Sequence, residues 1–117
     1  MDKSGVGRAG EEKAAAVLEK SGMSIIARNV RSRTGEIDLV ALDGDIMVFV
    51  EVKAWAAYGF GELRLGIDKK KQRRIIETAK FFLAAHREYN CMAVRFDVVF
   101  IGPETATHLI SAFMEQE

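Results

Sequence analysis

The sequence predicts an α/β fold in which helices flank a mixed central sheet, with elements in the order α-β-β-β-α-β-β. Three observations lead there. Two stretches, one ending near residue 21 and one spanning roughly 68–87, repeat apolar residues at helical spacing. Between them, two apolar runs of strand length flank Asp43-Gly44, a dipeptide suited to a tight hairpin. After the second helical stretch comes another alternating apolar run, and a strand, a helical crossover and a further strand imply parallel pairing with a right-handed connection. With 117 residues and 49% apolar content, the chain suits a single domain over 1–117 with one core.

The first helix is expected from near Arg8 to Ser21, ended by Gly22. Ala14, Ala15, Val17 and Leu18 form its apolar stripe. Glu11 falls about 40° from the stripe's centre and Glu12 about 140° away, so Glu11 points inward. The plain alternative for Glu11 is a helix-start carboxylate placed favourably in the helix dipole. Met23 to Val30 reads as the first strand, and Arg31-Ser32-Arg33-Thr34-Gly35 connects it to the hairpin. The arginines suit either a phosphate grip or a solvated loop.

The hairpin carries the chemistry. With Asp43 and Gly44 as its two loop residues, Leu42 faces Asp45 and Asp38 faces Phe49. Side chains alternate, so Asp38, Phe49, Glu51 and Lys53 share one face, while Ile37, Leu39, Val48, Val50 and Val52 take the other and belong to a core. Glu51 is then a diagonal neighbour of Asp38, roughly 7–8 Å away at the backbone. From there two carboxylates can lean onto one cation. Charged groups on apolar strands are costly unless something compensates, and a divalent metal would. Asp38, Glu51 and the Val52 carbonyl offer hard oxygen ligands with positions left for water and a phosphate oxygen, which suits Mg²⁺ or Mn²⁺. Lys53 would reach the same spot to orient a water or stabilise phosphoryl charge. The competing reading is a salt-bridged strand, Glu51 with Lys53, on a sheet face open to water.

After Lys53, residues 54–61 form a loop with three aromatics and two glycines. Trp55 or Tyr58 would stack on an unpaired base, or cover the edge of the core. Asp68 caps the second long helix, whose apolar face is Ile75, Ile76, Ala79, Phe82, Leu83 and His86. Lys69, Lys70, Lys71, Gln72, Arg73 and Arg74 crowd its N-terminal end, where cations oppose the dipole and a phosphate would relieve the conflict. His86 continues the apolar stripe as a core histidine. Tyr89 to Ala93 is a turn. Val94 to Ile101 is a strand in which Arg95 and Asp97 form a same-face ion pair, Gly102-Pro103 closes it, and His108 to Ala112 is a short edge strand.

The formal net charge is zero, which argues against a protein that coats nucleic acid by bulk electrostatics, so local clusters must carry any such contact. No apolar run of transmembrane length and no secretory leader is evident, and a lone cysteine, Cys91, cannot form an internal disulfide. These features point to the cytoplasm, with no membrane partner.

Asp38 followed by Glu51-Val52-Lys53 resembles the PD-(D/E)xK nuclease signature. Gly35-Glu36-Ile37-Asp38-Leu39-Val40 with Phe49-Val50-Glu51-Val52-Lys53 resembles the YraN-like family of small bacterial proteins, which is similar in fold to archaeal Holliday junction resolvases. The likeness extends to Gly10-Glu11, Arg28-Asn29, Lys71-Gln72 and Arg95-Phe96-Asp97. The resemblance implies a restriction-endonuclease-like core, with Glu11 as a third acidic group. It implies a metal-dependent endonuclease cutting structured or branched DNA, with Asp38 and Glu51 holding Mg²⁺ and Lys53 orienting water. Arg31, Arg33, Lys70, Lys71, Gln72, Arg73 and Arg74 would grip flanking phosphates. Symmetric branched DNA would call for two active sites, hence a homodimer. One departure is Trp55, where the family usually carries a basic residue, so one phosphate contact lacks its residue here. The alternative function is a non-catalytic nucleic-acid-binding or protein-interaction module that keeps the fold.

Overall fold

The computed structural model describes residues 7–54 and 67–114. The aromatics Trp55 and Tyr58 lie outside the described residues. Within them the elements run α1 (Gly7–Lys20), β1 (Ser24–Arg31), β2 (Glu36–Asp43), β3 (Ile46–Ala54), α2 (Lys69–Ala85), β4 (Ala93–Ile101) and β5 (Ala106–Phe113), with a single 3-10 turn at Arg87–Tyr89. The order is the α-β-β-β-α-β-β that the sequence predicts.

Local chemistry sets the ends of the helices. At the end of α1, Gly22 takes a φ of 98°, the Met23 amide donates to the Leu18 carbonyl at 3.1 Å and the Gly22 amide to Glu19 at 2.9 Å. That is the Schellman arrangement, and the buried Met23 packs in one cluster with Leu18. At the start of α2, the Asp68 side chain accepts from the Lys71 amide at 2.8 Å.

The five strands lie in the order β1-β2-β3-β4-β5, antiparallel except for the parallel β3–β4 pair. α2 is the crossover joining that pair. α1 covers one face through Ala14, Ala15 and Leu18 on Leu39, Ala41, Val48, Val50, Val52 and Val99. α2 covers the other through Ile75, Ile76, Ala79 and Phe82 on Val40, Met47, Phe49, Phe96, Val98 and Phe100. Central strands covered on both sides are apolar nearly throughout, which is why their charged residues stand out. Among the described residues no helix is long and apolar enough to cross a membrane.

The hairpin register differs from the expected one by two residues. Asp43 pairs with Ile46 and Leu39 with Val50, so the loop is Gly44-Asp45 rather than Asp43-Gly44. Gly44 alone takes a positive φ, 63°, as the first loop position of a II′-type turn requires. A shift by an even number keeps each residue on its face. Carried one step past Leu39↔Val50, the last pair of the ladder, that register would set Asp38 across from Glu51 instead of diagonal to it. Ile37 does not take the expected face with Leu39, Val48, Val50 and Val52: it packs with Val40 and Phe49 on the α2 side. Across from this point in β1, Asn29 adopts a φ of 51° while the β1–β2 pairs on either side, Arg28↔Leu39 and Val30↔Ile37, stay in register.

Candidate functional site

Asp38, Glu51 and Lys53 are all buried, at 5%, 4% and 5% exposure. β2 supplies the first and β3 the other two. Alternation along β3 puts Glu51 and Lys53 on the face of Phe49, beneath α2. Asp38 lies where the β2–β3 ladder stops: its Oδ2 accepts the Val52 amide at 2.7 Å, replacing a backbone acceptor with a side chain. A strand residue presents its N–H and C=O to the same neighbour. The Val52 carbonyl therefore faces the Asp38 edge too.

Glu51 is the hub. Its Oε2 is 3.0 Å from Lys53 Nζ and 2.7 Å from Lys71 Nζ, the latter reaching down from the first turn of α2. Burial, then the neighbouring Glu51 carboxylate, push the Asp38 carboxyl up to about 8, against the lowering effect of the Val52 amide. The half-buried Glu11, from α1, adds to the same upward push and so stands within electrostatic reach of Asp38. For Lys53, burial acts to lower the ammonium's affinity for its proton, but Glu51 and Asp38 outweigh it and the net direction is upward. Lys53 is thus a proton-bearing donor at neutral pH and not a base.

Among the described residues no three His, Cys, Asp or Glu side chains form a ready metal cage. The donor set is two adjacent carboxylates with a main-chain carbonyl beside them and a third acid in reach. Such a set fits Mg²⁺ or Mn²⁺, ions commonly held by one or two carboxylates with water and phosphate oxygens completing the shell.

The predicted basic residues divide. Lys70, Arg73 and Arg74 are exposed on the outer face of α2, and Arg31 and Arg33 are exposed around the β1–β2 connection. Arg31 lies 3.9 Å from Glu36. The connection is fastened to α2: the Ser32 and Thr78 hydroxyls share a hydrogen bond of 2.7 Å, Thr78 donates to the Arg74 carbonyl, and a Cβ on Gly35 would meet the Arg74 Cβ at 3.2 Å. This sets the arginine-bearing loop beside Arg74. Gln72 and Lys71 are engaged inside the protein instead, Gln72 Nε2 donating to the Ile67 carbonyl at 3.0 Å and Lys71 pairing with Glu51.

A second polar cluster was only half visible in the sequence. Arg95 forms a two-pronged pair with Asp97, both contacts 2.9 Å, as expected. Asp43, His108 and the Ser111 amide join it unannounced, Asp43 on Arg95 at 2.9 Å, His108 Nε2 and Ser111 N on Asp97 at 2.7 and 3.0 Å. The isolated His108 in an edge strand, in register with Val99, was the available signal. His86 is hydrogen-bonded, as expected, its Nδ1 2.9 Å from the Phe82 carbonyl and its ring stacked on Phe82, but it is half-buried at the C-terminal cap of α2 and not part of the core. Cys91 is exposed in the turn, its thiol donating to Asn90.

Residues 10–101 match the model of the uncharacterised protein family UPF0102. The chain belongs to that family. The match takes in Glu11, Asp38, Glu51, Lys53 and the basic start of α2, and it agrees with the YraN-like resemblance. A UPF0102 protein of Treponema denticola is 47% identical, covering 92% of this chain and 94% of its own. One from Treponema pallidum is 49% identical over 82% of this chain and 76% of its own, and one from Persephonella marina is 43% identical over 92% and 91%.

Proposed function

We propose that this chain is a metal-dependent DNA phosphodiesterase of the restriction-endonuclease-like, PD-(D/E)xK kind, acting on structured or branched DNA with water as nucleophile. The observation that carries the reading is the meeting of Asp38 and Glu51, both at most 5% exposed, beside the Lys53 ammonium. Two buried acids side by side are held at a cost, and functional sites are where such a cost persists. A divalent cation bound by them would polarise a phosphoryl oxygen and lower the pKa of a water. The protein's own residues do the rest. Asp38 and Glu51 offer the oxygen ligands, with Glu11 supporting from α1. Lys53, kept protonated, donates to the water or to the charge that grows on the phosphoryl group. Arg31, Arg33, Lys70, Arg73 and Arg74 hold flanking phosphates.

The test is Mn²⁺-supported cleavage of linear, flapped and four-way-junction DNA by wild type and Lys53→Ala. Cleavage by wild type, at least about 100-fold slower in the variant, supports the proposal. Equal rates in the two would remove the catalytic role. A second reading, a nucleic-acid-binding module without turnover, is favoured by one observation: Glu51 is already neutralised by two ammonium groups. It is distinguished by salt-dependent DNA binding with no cleavage under any divalent ion.

A further inference from the structure

Lys71 is the residue whose position the phosphate-gripping role does not explain. Its neighbours Lys69, Lys70, Arg73 and Arg74 are exposed, whereas Lys71 turns inward and approaches Glu51 Oε2 more closely, at 2.7 Å, than Lys53 does, at 3.0 Å. The two ammonium groups on that oxygen are not equivalent. Lys53 is rooted in a central strand with its side chain 6% exposed, and it has nowhere else to go. The Lys71 side chain is 35% exposed and springs from the first turn of a helix, so it can withdraw toward solvent.

Charge makes the same distinction. When ionised, Asp38 and Glu51 bring two negative charges beside the two ammonium groups that meet on Glu51. A dication held by those carboxylates competes with the ammonium groups for the same oxygens and leaves excess positive charge, which the departure of one ammonium relieves. The more weakly anchored group is the one to leave. We propose that Lys71 is a displaceable counter-ion: it neutralises Glu51 while no cation is bound, and cation binding releases it to the basic face of α2, where it meets a DNA phosphate. This rests on the metal site of the proposed function. It makes cation and phosphate binding cooperative, and by linkage each raises the affinity for the other by the same factor.

Two measurements on the full chain without DNA decide it. Titration calorimetry with Mn²⁺ should show binding to wild type, binding about three- to tenfold tighter to Lys71→Met, and wild-type affinity for Lys71→Arg, which keeps the competing charge. In unsubstituted protein, Mg²⁺ titration followed by ¹⁵N NMR of the lysine ammonium groups should remove the exchange protection of Lys71 Nζ and leave that of Lys53 Nζ. The NMR measurement needs no variant, so a misfolded Lys71→Met would not shield the idea. Binding to wild type with equal or weaker affinity in Lys71→Met, or Lys71 Nζ still protected at saturating Mg²⁺, overturns the counter-ion role and leaves the metal site standing. No Mn²⁺ binding by wild type or Lys71→Met would take down both.

Discussion

The Asp38 carboxyl is held up to about 8 by burial and by Glu51, from an ordinary value of 3.8. Between those two values the folded protein binds a proton that the unfolded chain has released, so stability without a cation falls as pH rises through that window. Asp38→Asn removes this liability while its amide oxygen can still accept the Val52 N–H. The variant should therefore be more stable than wild type in EDTA at pH 8, by about 0.5–2 kcal/mol, with the difference shrinking toward pH 4. Added Mn²⁺ should reverse the ranking, raising the Tm of wild type alone. Chemical denaturation at the two pH values, with EDTA or Mn²⁺, measures both. A variant that is less stable at pH 8 in EDTA would show that the charged Asp38 is well accommodated without a metal. The residues of this cluster were legible because charges at alternate positions of an apolar strand have few innocent explanations. Their exact pairing was not: Asp43-Gly44 and Gly44-Asp45 are both acceptable two-residue loops, and only the finished sheet selects between registers that bury the same faces.

α2 works as an element with two duties. Its buried stripe of Ile75, Thr78, Ala79 and Phe82 closes one side of the sheet, while Lys70, Arg73 and Arg74 face solvent. Lys71 precedes Ile75 by four residues and Thr78 by seven, which places it on the buried stripe. That spacing was readable in the sequence. It sets Gln72 on the apolar face with Lys71 nearby, although composition makes a run of basic residues look uniform when helical geometry sends successive ones in different directions. The fastening of the β1–β2 connection to Thr78 was not readable, since a serine and a threonine separated by 46 residues carry no signal of their meeting. Its consequence is a joint basic surface from two distant segments. Neutralising two exposed residues in the helix should then reduce phosphate contacts without disturbing the fold. We expect Lys70→Gln with Arg74→Gln to weaken duplex binding and to lower the slope of log affinity against log salt by up to about 1.8, two contacts at about 0.9 each. Fluorescence anisotropy from low to moderate salt measures it. An unchanged slope would mean that these side chains do not touch the backbone of DNA.

Across the whole molecule, the sheet carries two polar clusters on opposite faces. Phe96, Val98 and Phe100 of β4 pack toward α2, as Glu51 does in β3, so Asp97 between them faces the α1 side. Asp97 is fully buried and ties together the far end of β2 through Arg95 and Asp43, β4 itself, and β5 through His108 and the amide of Ser111. Ser111 adopts a φ of 54° where the β4–β5 register shifts, so this carboxylate also fixes the irregularity of the edge strand. Burial acts to raise the Asp97 pKa, but His108, Arg95 and the Ser111 amide outweigh it and hold the group below its ordinary 3.8. The sign is thus opposite to that at Asp38: the stability Asp97 contributes is present above 3.8 and lost as pH falls through its depressed value. Asp97→Asn keeps the shape and leaves Arg95 without its buried partner, and should cost about 3 kcal/mol at pH 7. The deficit should narrow in acid, where wild type loses the same interaction. Because the two clusters lie on different faces, the rise in stability on adding Mn²⁺ should be the same in Asp97→Asn as in wild type. Urea denaturation at pH 7 and pH 3, with and without Mn²⁺, reads all of these. A variant that folds at pH 7 but has lost its response to Mn²⁺ would mean that Asp97 transmits through the β3–β4 pair to Glu51, and that the sheet's two faces act as one site.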